Sequence, residues 1–145
     1  MPLLRAALSW NFVLATAVCA SLLAQLIKVL LNLFIFHRFI AERMWGAGGM
    51  PSSHSATVCA MVVATGRYCG VSSPTFAIAA VLSIIVMYDA MGVRYETGEQ
   101  AKVLNRLFTE WMDQGIEQFQ FPHGKKLKEM VGHTPIEVLT GAALG

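Results

Sequence analysis

Long uncharged runs dominate the first ninety residues of the chain. Between Arg5 and Lys28 lie 22 uncharged residues, Ala6 to Ile27, which as an α-helix would extend about 33 Å and cross the hydrocarbon core of a bilayer. Apolar residues resume after Lys28, so a tilted helix is predicted to continue to about Phe36. This run is the clearest transmembrane prediction in the sequence.

A secretory signal peptide is the alternative interpretation of the same segment. Arg5 precedes the apolar stretch, and the small residues from Ala15 to Ala20 loosely fit a cleavage site. The apolar stretch is long for a signal peptide and continues well past that position. The sequence therefore favours a membrane helix.

A second run of 21 uncharged residues extends from Tyr68 to Tyr88. Pro74 suits an early helix position, with Ser72 or Ser73 as the N-cap. Residues 76–88 are apolar on all faces, which is typical of a membrane span or a fully buried helix.

The segment between the two runs, from about Ser53 to Gly66, predicts a shorter helix. Its length of about 21 Å is too small to cross a bilayer alone. We expect it to start part-way down a re-entrant loop, which is tolerated where the loop backbone lines a protein cavity.

Charged residues become frequent beyond Arg94, and the pattern becomes that of an amphipathic helix from Gly98 to Gln120. Thr97 and Gln100 form a capping-box pattern at its start. We expect this helix to pack on the bundle outside the bilayer or to lie in the interface. Its apolar positions are Ala101, Leu104, Leu107, Phe108, Trp111, Met112, Ile116 and Phe119.

Composition supports a lipid environment. Hydrophobic residues make up 55% of the chain and charged residues only 14%, against about 25% charged in an ordinary soluble domain. A length of 145 residues fits a single domain, residues 1–145. The prediction is an all-α integral membrane protein, a multi-pass bundle of about three to four membrane helices plus one amphipathic helix.

Charge and cysteine content narrow the possible partners. A net charge of +2 is far from the basic balance of a nucleic-acid binder, so membrane lipids are the expected partners and nucleic acid is not. Cys19, Cys59 and Cys69 lack metal-type spacing and are expected to be small buried hydrophobes. No metal or other cofactor is predicted. Lys and Arg occur in every candidate loop, so the positive-inside rule gives no orientation.

The first candidate site is the glycine-rich segment 46–55, which contains Pro51-Ser52-Ser53-His54. Ser52 or Ser53 can cap the following helix, whose free N–H groups and positive dipole end favour a phosphate. The spacing matches neither common glycine-rich nucleotide motif. On composition alone, a flexible loop with a serine cap and an interfacial histidine is the favoured interpretation.

The second candidate site is Gly132-His133-Thr134-Pro135-Ile136-Glu137. Thr134 as N-cap, Pro135 at the first helical position and Glu137 three residues after the cap predict a helix start. The dipole disfavours an imidazolium, which leaves His133 a neutral nitrogen as a nucleophile. Glu137 could orient the ring, or it could only complete the capping box.

The third candidate site is the charged junction at Asp89. An unpaired carboxylate at the end of an apolar span is costly, so a partner such as Arg94 or Lys28 is expected. A structural ion pair explains the pattern simply. A cation that also faces an active cavity is the alternative.

Four segments together resemble the hallmarks of the acid phosphatase/vanadium-dependent haloperoxidase-related family, itself distantly related to the type 2 phosphatidic acid phosphatases. They are Gly-Gly-Met-Pro-Ser-Ser-His-Ser, Asp-Ala-Met-Gly-Val-Arg, Gly-Glu-Gln-Ala-Lys-Val-Leu-Asn and Gly-His-Thr-Pro-Ile-Glu-Val-Leu-Thr-Gly. The likeness covers most of the chain and implies the fold of those enzymes.

The resemblance also implies a chemistry. His54 would stand for the histidine of P-S-G-H, the general acid for the leaving group. His133 and Glu137 would stand for H-x3-D, in which the histidine attacks phosphorus and the acid orients it. Lys28 would be a remnant of the lysine in K-x6-R-P.

Several positions depart from those motifs. Leu127 stands where the related enzymes have an arginine, Ser53 replaces the glycine of P-S-G-H, and no R-P follows Lys28. Other cations would then have to neutralise the phosphoryl oxygens. The predicted phosphate-binding residues are Ser52, Ser53, Arg94, Lys28, Lys126 and Lys128.

Three functions follow as hypotheses. The first is a membrane phosphatase that hydrolyses a phosphomonoester, such as a lipid phosphate or a small molecule, through a phosphohistidine. The second is a non-catalytic membrane protein that retains the fold and an anion site. The third and weakest is a vanadate-dependent haloperoxidase.

Overall fold

Five α-helices make up the described part of the chain. The computed structural model describes residues 11–36, 49–114, 125–129 and 131–145, and these ranges contain no strand. The helices are α1 (Phe12–Phe36), α2 (Ser53–Cys69), α3 (Pro74–Met91), α4 (Val93–Asp113) and α5 (Pro135–Leu144). The prediction of an all-α fold is confirmed.

The two long apolar helices form where the uncharged runs predict them. Helix α1 continues to Phe36 as expected, while residues 1–10 lie outside the described ranges. Helix α3 begins with Pro74 in its first turn, and the Ser73 hydroxyl accepts a hydrogen bond from the Phe76 N–H. Of the two predicted N-caps, Ser73 is therefore the one used.

Helix α2 lies at the centre of the bundle and packs against α1, α3 and α5. It extends from Ser53 to Cys69, slightly past the predicted end, and stops at Gly70, whose φ of 84° is accessible to glycine. Ala56, Ala60 and Ala64 are at most 2% exposed. These small side chains let neighbouring helices approach closely.

The predicted start of the amphipathic helix is wrong. Helix α4 begins at Val93, directly after Gly92, and Thr97 lies inside it with its hydroxyl donating to the Val93 carbonyl oxygen. Thr97 and Gln100 therefore form no capping box. The helix ends at Asp113, and residues 115–120 of the predicted span lie outside the described ranges.

Two helical stretches, Phe12–Phe34 and Pro74–Asp113, are long and apolar enough to cross a membrane, and only 17% of each apolar window is buried inside the protein. Low internal burial of such apolar side chains distinguishes a lipid-facing helix from the core helix of a soluble protein. Large apolar side chains such as Leu22, Phe34, Ile84 and Ile85 are exposed. The predicted count of three to four membrane helices stays a prediction.

The cysteine expectation needs correction. Cys19 and Cys69 are exposed and Cys59 is half-buried. An apolar sequence neighbourhood implies burial in protein only when the helix surface is covered by protein. The apolar surface of α1, on which Cys19 lies, faces outward.

Candidate active site

Helix α5 starts with the predicted capping box. The Thr134 hydroxyl accepts a hydrogen bond from the Glu137 N–H, and the Glu137 carboxylate accepts one from the Thr134 N–H. Pro135 occupies the first turn, where a missing N–H costs nothing. This capping box fixes the backbone where the chain passes from His133 into helix α5.

Glu137 performs both of the roles that the sequence allowed. Its Oε2 atom accepts from the Thr134 N–H at 3.0 Å and lies 3.2 Å from His133 Nδ1. An ionised carboxylate can only accept, so Nδ1 carries the proton. The neutral tautomer then leaves its lone pair on Nε2.

His133 Nε2 is buried and has no hydrogen-bond partner among the described residues. The side chain is only 2% exposed, and a buried polar atom without a partner is rare enough to need an explanation. A free, desolvated lone pair on an oriented ring is what a nucleophilic histidine requires.

The His54 ring lies next to the His133 ring. The two ring centroids are 6.1 Å apart, and the ring planes meet at 64°. His54 is the second residue of α2 and is exposed, whereas His133 is buried. The structure thus brings together two imidazoles that are 79 positions apart in the chain (133 − 54), one at the surface and one beneath it.

The two serines before His54 are buried. Ser52 is the N-cap of α2, and its hydroxyl accepts from the N–H and the hydroxyl of Ser55. Ser53 is 7% exposed, and its carbonyl oxygen accepts from the Thr57 hydroxyl. The Ser52 hydroxyl therefore organises the helix start, and phosphate binding by either serine stays a prediction.

Backbone contacts hold the two histidine segments in register. The Ser52 N–H donates to the Glu137 carbonyl oxygen at 2.9 Å, and the His133 N–H donates to the Ala90 carbonyl oxygen at 3.0 Å. A Cβ atom at Gly141 would collide with the Ser52 carbonyl oxygen. The start of α5 therefore lies directly on the start of α2, a contact that no sequence motif announced.

Two of the predicted cations lie near the histidines. Lys28 is 2% exposed, and its charge acts on both His54 and Glu137. Arg94 forms the expected ion pair with Asp89, with Nε 2.5 Å from Oδ2, and its charge also acts on His54. Two cations thus act near the histidines, each together with a carboxylate: Lys28 with Glu137 and Arg94 with Asp89.

The charges around His54 set its protonation. Partial burial lowers the pKa of its imidazole below the ordinary 6.5, and interaction with His133 in its protonated form and the positive charges of Arg94 and Lys28 lower this pKa further. The negative charge of Asp89 opposes the shift. An anion bound between these groups would favour the protonated form.

Glu137 stays ionised in this setting. Burial by itself would raise the pKa of its carboxyl, but the hydrogen bonds from His133 and the Thr134 N–H and the charge of Lys28 bring it below the usual value. An ionised Glu137 can both hold the ring and stabilise positive charge that develops on it.

Lys126 and Lys128 are exposed, and neither is among the charges that act on His54 or Glu137. Their predicted contact with phosphate stays a prediction. Beside Glu137 lies an open pocket of about 160 Å³. It is lined by Gly49, Tyr95, Glu99, Lys102, Glu129, Gly132, Thr134 and Glu137. The described residues contain no group of three side chains able to hold a metal ion.

Comparison with known proteins identifies the family of the chain. Residues 9–145 match the model of the family described as the divergent PAP2 family. The chain belongs to the divergent PAP2 family. It is 39% identical over 141 residues to the "Uncharacterized membrane protein YuiD" of Bacillus subtilis (strain 168), an alignment that covers 93% of this chain and 89% of the relative. No solved structure matches the chain.

Membership of the divergent PAP2 family confirms the resemblance drawn from the four sequence segments. The family match spans both histidine segments and all five described helices in full. With a relative named as a membrane protein and two candidate spans, this divergent PAP2 protein is a membrane protein.

Proposed function

We infer that this divergent PAP2 protein is a multi-pass membrane phosphatase that hydrolyses a phosphomonoester through a phosphohistidine at His133. The observation that carries the inference is the buried Nε2 of His133, which has no hydrogen-bond partner among the described residues, on a ring whose centroid lies 6.1 Å from that of His54. The large majority of buried polar side-chain atoms have a hydrogen-bond partner, so an open Nε2 is consistent with a nucleophile.

In the first step, the lone pair of His133 Nε2 attacks phosphorus. The bond between phosphorus and the ester oxygen breaks, and the leaving alcohol oxygen takes a proton from His54 acting as general acid. Glu137 keeps the proton on Nδ1 and stabilises the positive charge that the ring acquires. The products of this step are a free alcohol and a phosphohistidine.

In the second step, His54 is neutral and accepts a proton from water. The resulting hydroxide attacks phosphorus, the bond between phosphorus and Nε2 breaks, and inorganic phosphate leaves. His54 is then protonated again and His133 is free. One group thereby serves as acid and then as base, as reversal of roles in a two-step displacement requires.

Lys28 and Arg94 are the cations proposed to neutralise the phosphoryl oxygens. Phosphoryl transfer depends largely on such stabilisation, and these two charges act on the same imidazole. Arg94 would take over the task of the arginine that Leu127 replaces. Because apolar side chains on α1 and α3 face outward, a lipid phosphate is a suitable substrate, with its headgroup at the histidines and its chains in the bilayer.

The test uses the full chain purified in detergent, with a panel of lipid and soluble phosphomonoesters. Release of inorganic phosphate is expected from wild type, and His133→Ala should abolish it. Trapping of a phosphoenzyme that is labile in acid and stable in base would identify the phosphohistidine. Full activity in His133→Ala would exclude the proposal.

The phosphomonoester panel, together with binding and peroxidase assays, separates the two alternatives. A non-catalytic protein with a retained anion site is favoured by the replacement of an arginine by Leu127. It would bind phosphate or vanadate in a His133-dependent way without turning over any ester. Halide oxidation by peroxide after addition of vanadate would instead indicate a haloperoxidase.

A further inference from the structure

The segment that leads to His133, described over residues 127–129 and 131–132, lies along one face of α4. The buried residues of that helix are Gly98, Ala101 and Asn105, whose spacing of three and four places them on one face. A Cβ atom at Gly98 would come within 2.5 Å of the Glu129 carbonyl oxygen. The face is therefore a shallow groove that accepts the main chain of the segment.

Asn105 holds the segment in this groove with three hydrogen bonds. Its amide nitrogen donates to the Leu127 carbonyl oxygen at 2.9 Å and to Glu129 Oε1 at 2.8 Å, and its Oδ1 accepts from the Leu127 N–H at 2.8 Å. The side chain is 4% exposed. We call Asn105, Leu127 and Glu129 with these bonds the Asn105 clasp.

The Asn105 clasp engages most of the hydrogen-bonding groups of the Asn105 amide. Both donor hydrogens and one acceptor lone pair are engaged. Asparagine is a weak helix former, so helix propensity gives no reason for it in the middle of α4. A two-way bond to the backbone of one residue fixes both the position and the direction of that backbone.

The other end of the segment is fixed as well. Gly132 lies so close to the Tyr95 backbone nitrogen that a Cβ atom would collide with it. The next residue, His133, donates its N–H to the Ala90 carbonyl oxygen. Leu127 precedes His133 by six positions (133 − 127). The clasp thus ties the approach to His133 to α4 just before the chain reaches the site.

We propose that Asn105 is a positioning residue for His133, acting through the backbone of Leu127 and the side chain of Glu129 held against α4. This rests on the proposed phosphatase function. It also gives a task to the segment Gly-Glu-Gln-Ala-Lys-Val-Leu-Asn, whose first and last residues, Gly98 and Asn105, both meet the clasped segment. Asn105 itself touches neither histidine through any of its hydrogen bonds.

The first test compares Asn105→Ala with Gln100→Ala. Gln100 is an amide residue on the same helix, with a side chain one methylene longer than that of asparagine. It is exposed and is not part of the proposed site. Misplacing a reacting group by about 1 Å can cost on the order of a hundredfold in rate. Asn105→Ala should lower kcat by at least about tenfold and leave KM within about twofold, while Gln100→Ala should change neither.

The second test asks for rescue by exchange of donor and acceptor. Asn105→Asp keeps the shape of the side chain but removes both donors and places a carboxylate beside Glu129. Adding Glu129→Gln restores one donor to that pair. The double variant should recover part of the kcat that Asn105→Asp loses, whereas a general loss of packing would not be repaired this way. No recovery in the double variant would overturn the proposal.

A third readout separates the clasp from the phosphatase proposal. The imidazole ¹⁵N signals of His133, assigned with His133→Ala, should move in Asn105→Ala and stay in place in Gln100→Ala. Should wild type turn over no phosphate ester, the phosphatase proposal fails and these signals alone decide the clasp. Unchanged His133 signals in a folded Asn105→Ala protein would refute it. Should that variant fail to fold, the rescue experiment decides.

Discussion

The Glu137 carboxylate serves the Thr134 N–H and His133 Nδ1 from the same oxygen, and substitution can separate the two tasks. Glutamine at the third helical position also completes a capping box, so Glu137→Gln should keep the stability of the protein. A neutral amide stabilises a positively charged ring much less than a carboxylate does. We therefore expect kcat to fall by on the order of a hundredfold, measured by phosphate release.

Glu137→Ala is the matched comparison. It removes both tasks, so it should lose activity and also about 1 kcal/mol of stability, the usual value of a cap, measured by thermal unfolding in detergent. Wild-type activity in Glu137→Gln would show that Glu137 only caps the helix.

The electrostatics of His54 give a second prediction, in the pH dependence. Because the pKa of His54 is lowered below 6.5, the protonated general acid is lost as pH rises through that lowered value, and kcat/KM should fall with it. Removing the negative charge in Asp89→Asn should lower the pKa further. Removing the positive charge in Arg94→Gln should raise it. An NMR titration of His54 measures both shifts independently of activity.

The two expected shifts of the His54 pKa have opposite signs, which excludes a simpler structural explanation. Both substitutions break the same ion pair between Asp89 and Arg94, so a mere loosening of that junction would move the His54 pKa in one direction for both. Shifts of the same sign would contradict the electrostatic account.

Residues whose partners are close in sequence could be assigned from the sequence. Thr134, Pro135 and Glu137 lie within one helical turn, and their roles follow from capping chemistry alone. Asn105 could not be assigned, because its partners lie 22 and 24 positions away. The only local signal was a weak helix former in the interior of a helix.

At the scale of elements, periodicity located the helices but did not determine which face of α4 contacts protein. Of its predicted apolar positions, Leu104, Leu107 and Met112 are 43%, 36% and 50% exposed. The buried face is the one with Gly98, Ala101 and Asn105. A hydrophobic pattern identifies the side that avoids water, and in a membrane protein that side need not contact protein.

The contact between α5 and α2 is the element-scale feature that aligns the two histidines. A methyl group at residue 141 would collide with the Ser52 carbonyl oxygen, so Gly141→Ala should push the helices apart. We expect a loss of about 1–3 kcal/mol, as for other overpacked sites, and a fall in kcat. Thermal unfolding and phosphate release measure the two effects.

Ala143 provides the control on the same short helix. It is exposed, so Ala143→Val adds volume at a solvent- or lipid-facing position and should leave both measurements unchanged. Equal behaviour of the two variants would mean that the close approach of α5 to Ser52 has no part in the site.

At the scale of the whole molecule, the distribution of polar and apolar side chains is the reverse of that in a soluble protein. Polar residues such as Lys28, Asn105 and His133 are among the most buried, while large apolar side chains of α1 and α3 are exposed. Composition predicted the lipid environment, but it could not predict that the shorter helix α2 would be the central one. That arrangement depends on small side chains meeting across helices.

The two exposed cysteines turn this arrangement into a prediction about the membrane. Cys19 lies within the candidate span Phe12–Phe34, and Cys69 lies at the end of α2. Both thiols are exposed in the protein alone. In a membrane, lipid would cover Cys19 but not Cys69. In sealed membranes, a charged maleimide should label Cys69 from one side and should not label Cys19.

Single-cysteine variants make the comparison clean, with the half-buried Cys59 replaced by alanine in each. Detergent denaturation must expose Cys19 to the same reagent, since its thiol is covered by lipid and not by protein. Reaction of Cys19 in intact membranes at the rate of Cys69 would place the apolar surface of α1 in water. An apolar surface of that size would drive aggregation in water. The outward surface of α1 would then have to be covered by other protein chains instead of a bilayer.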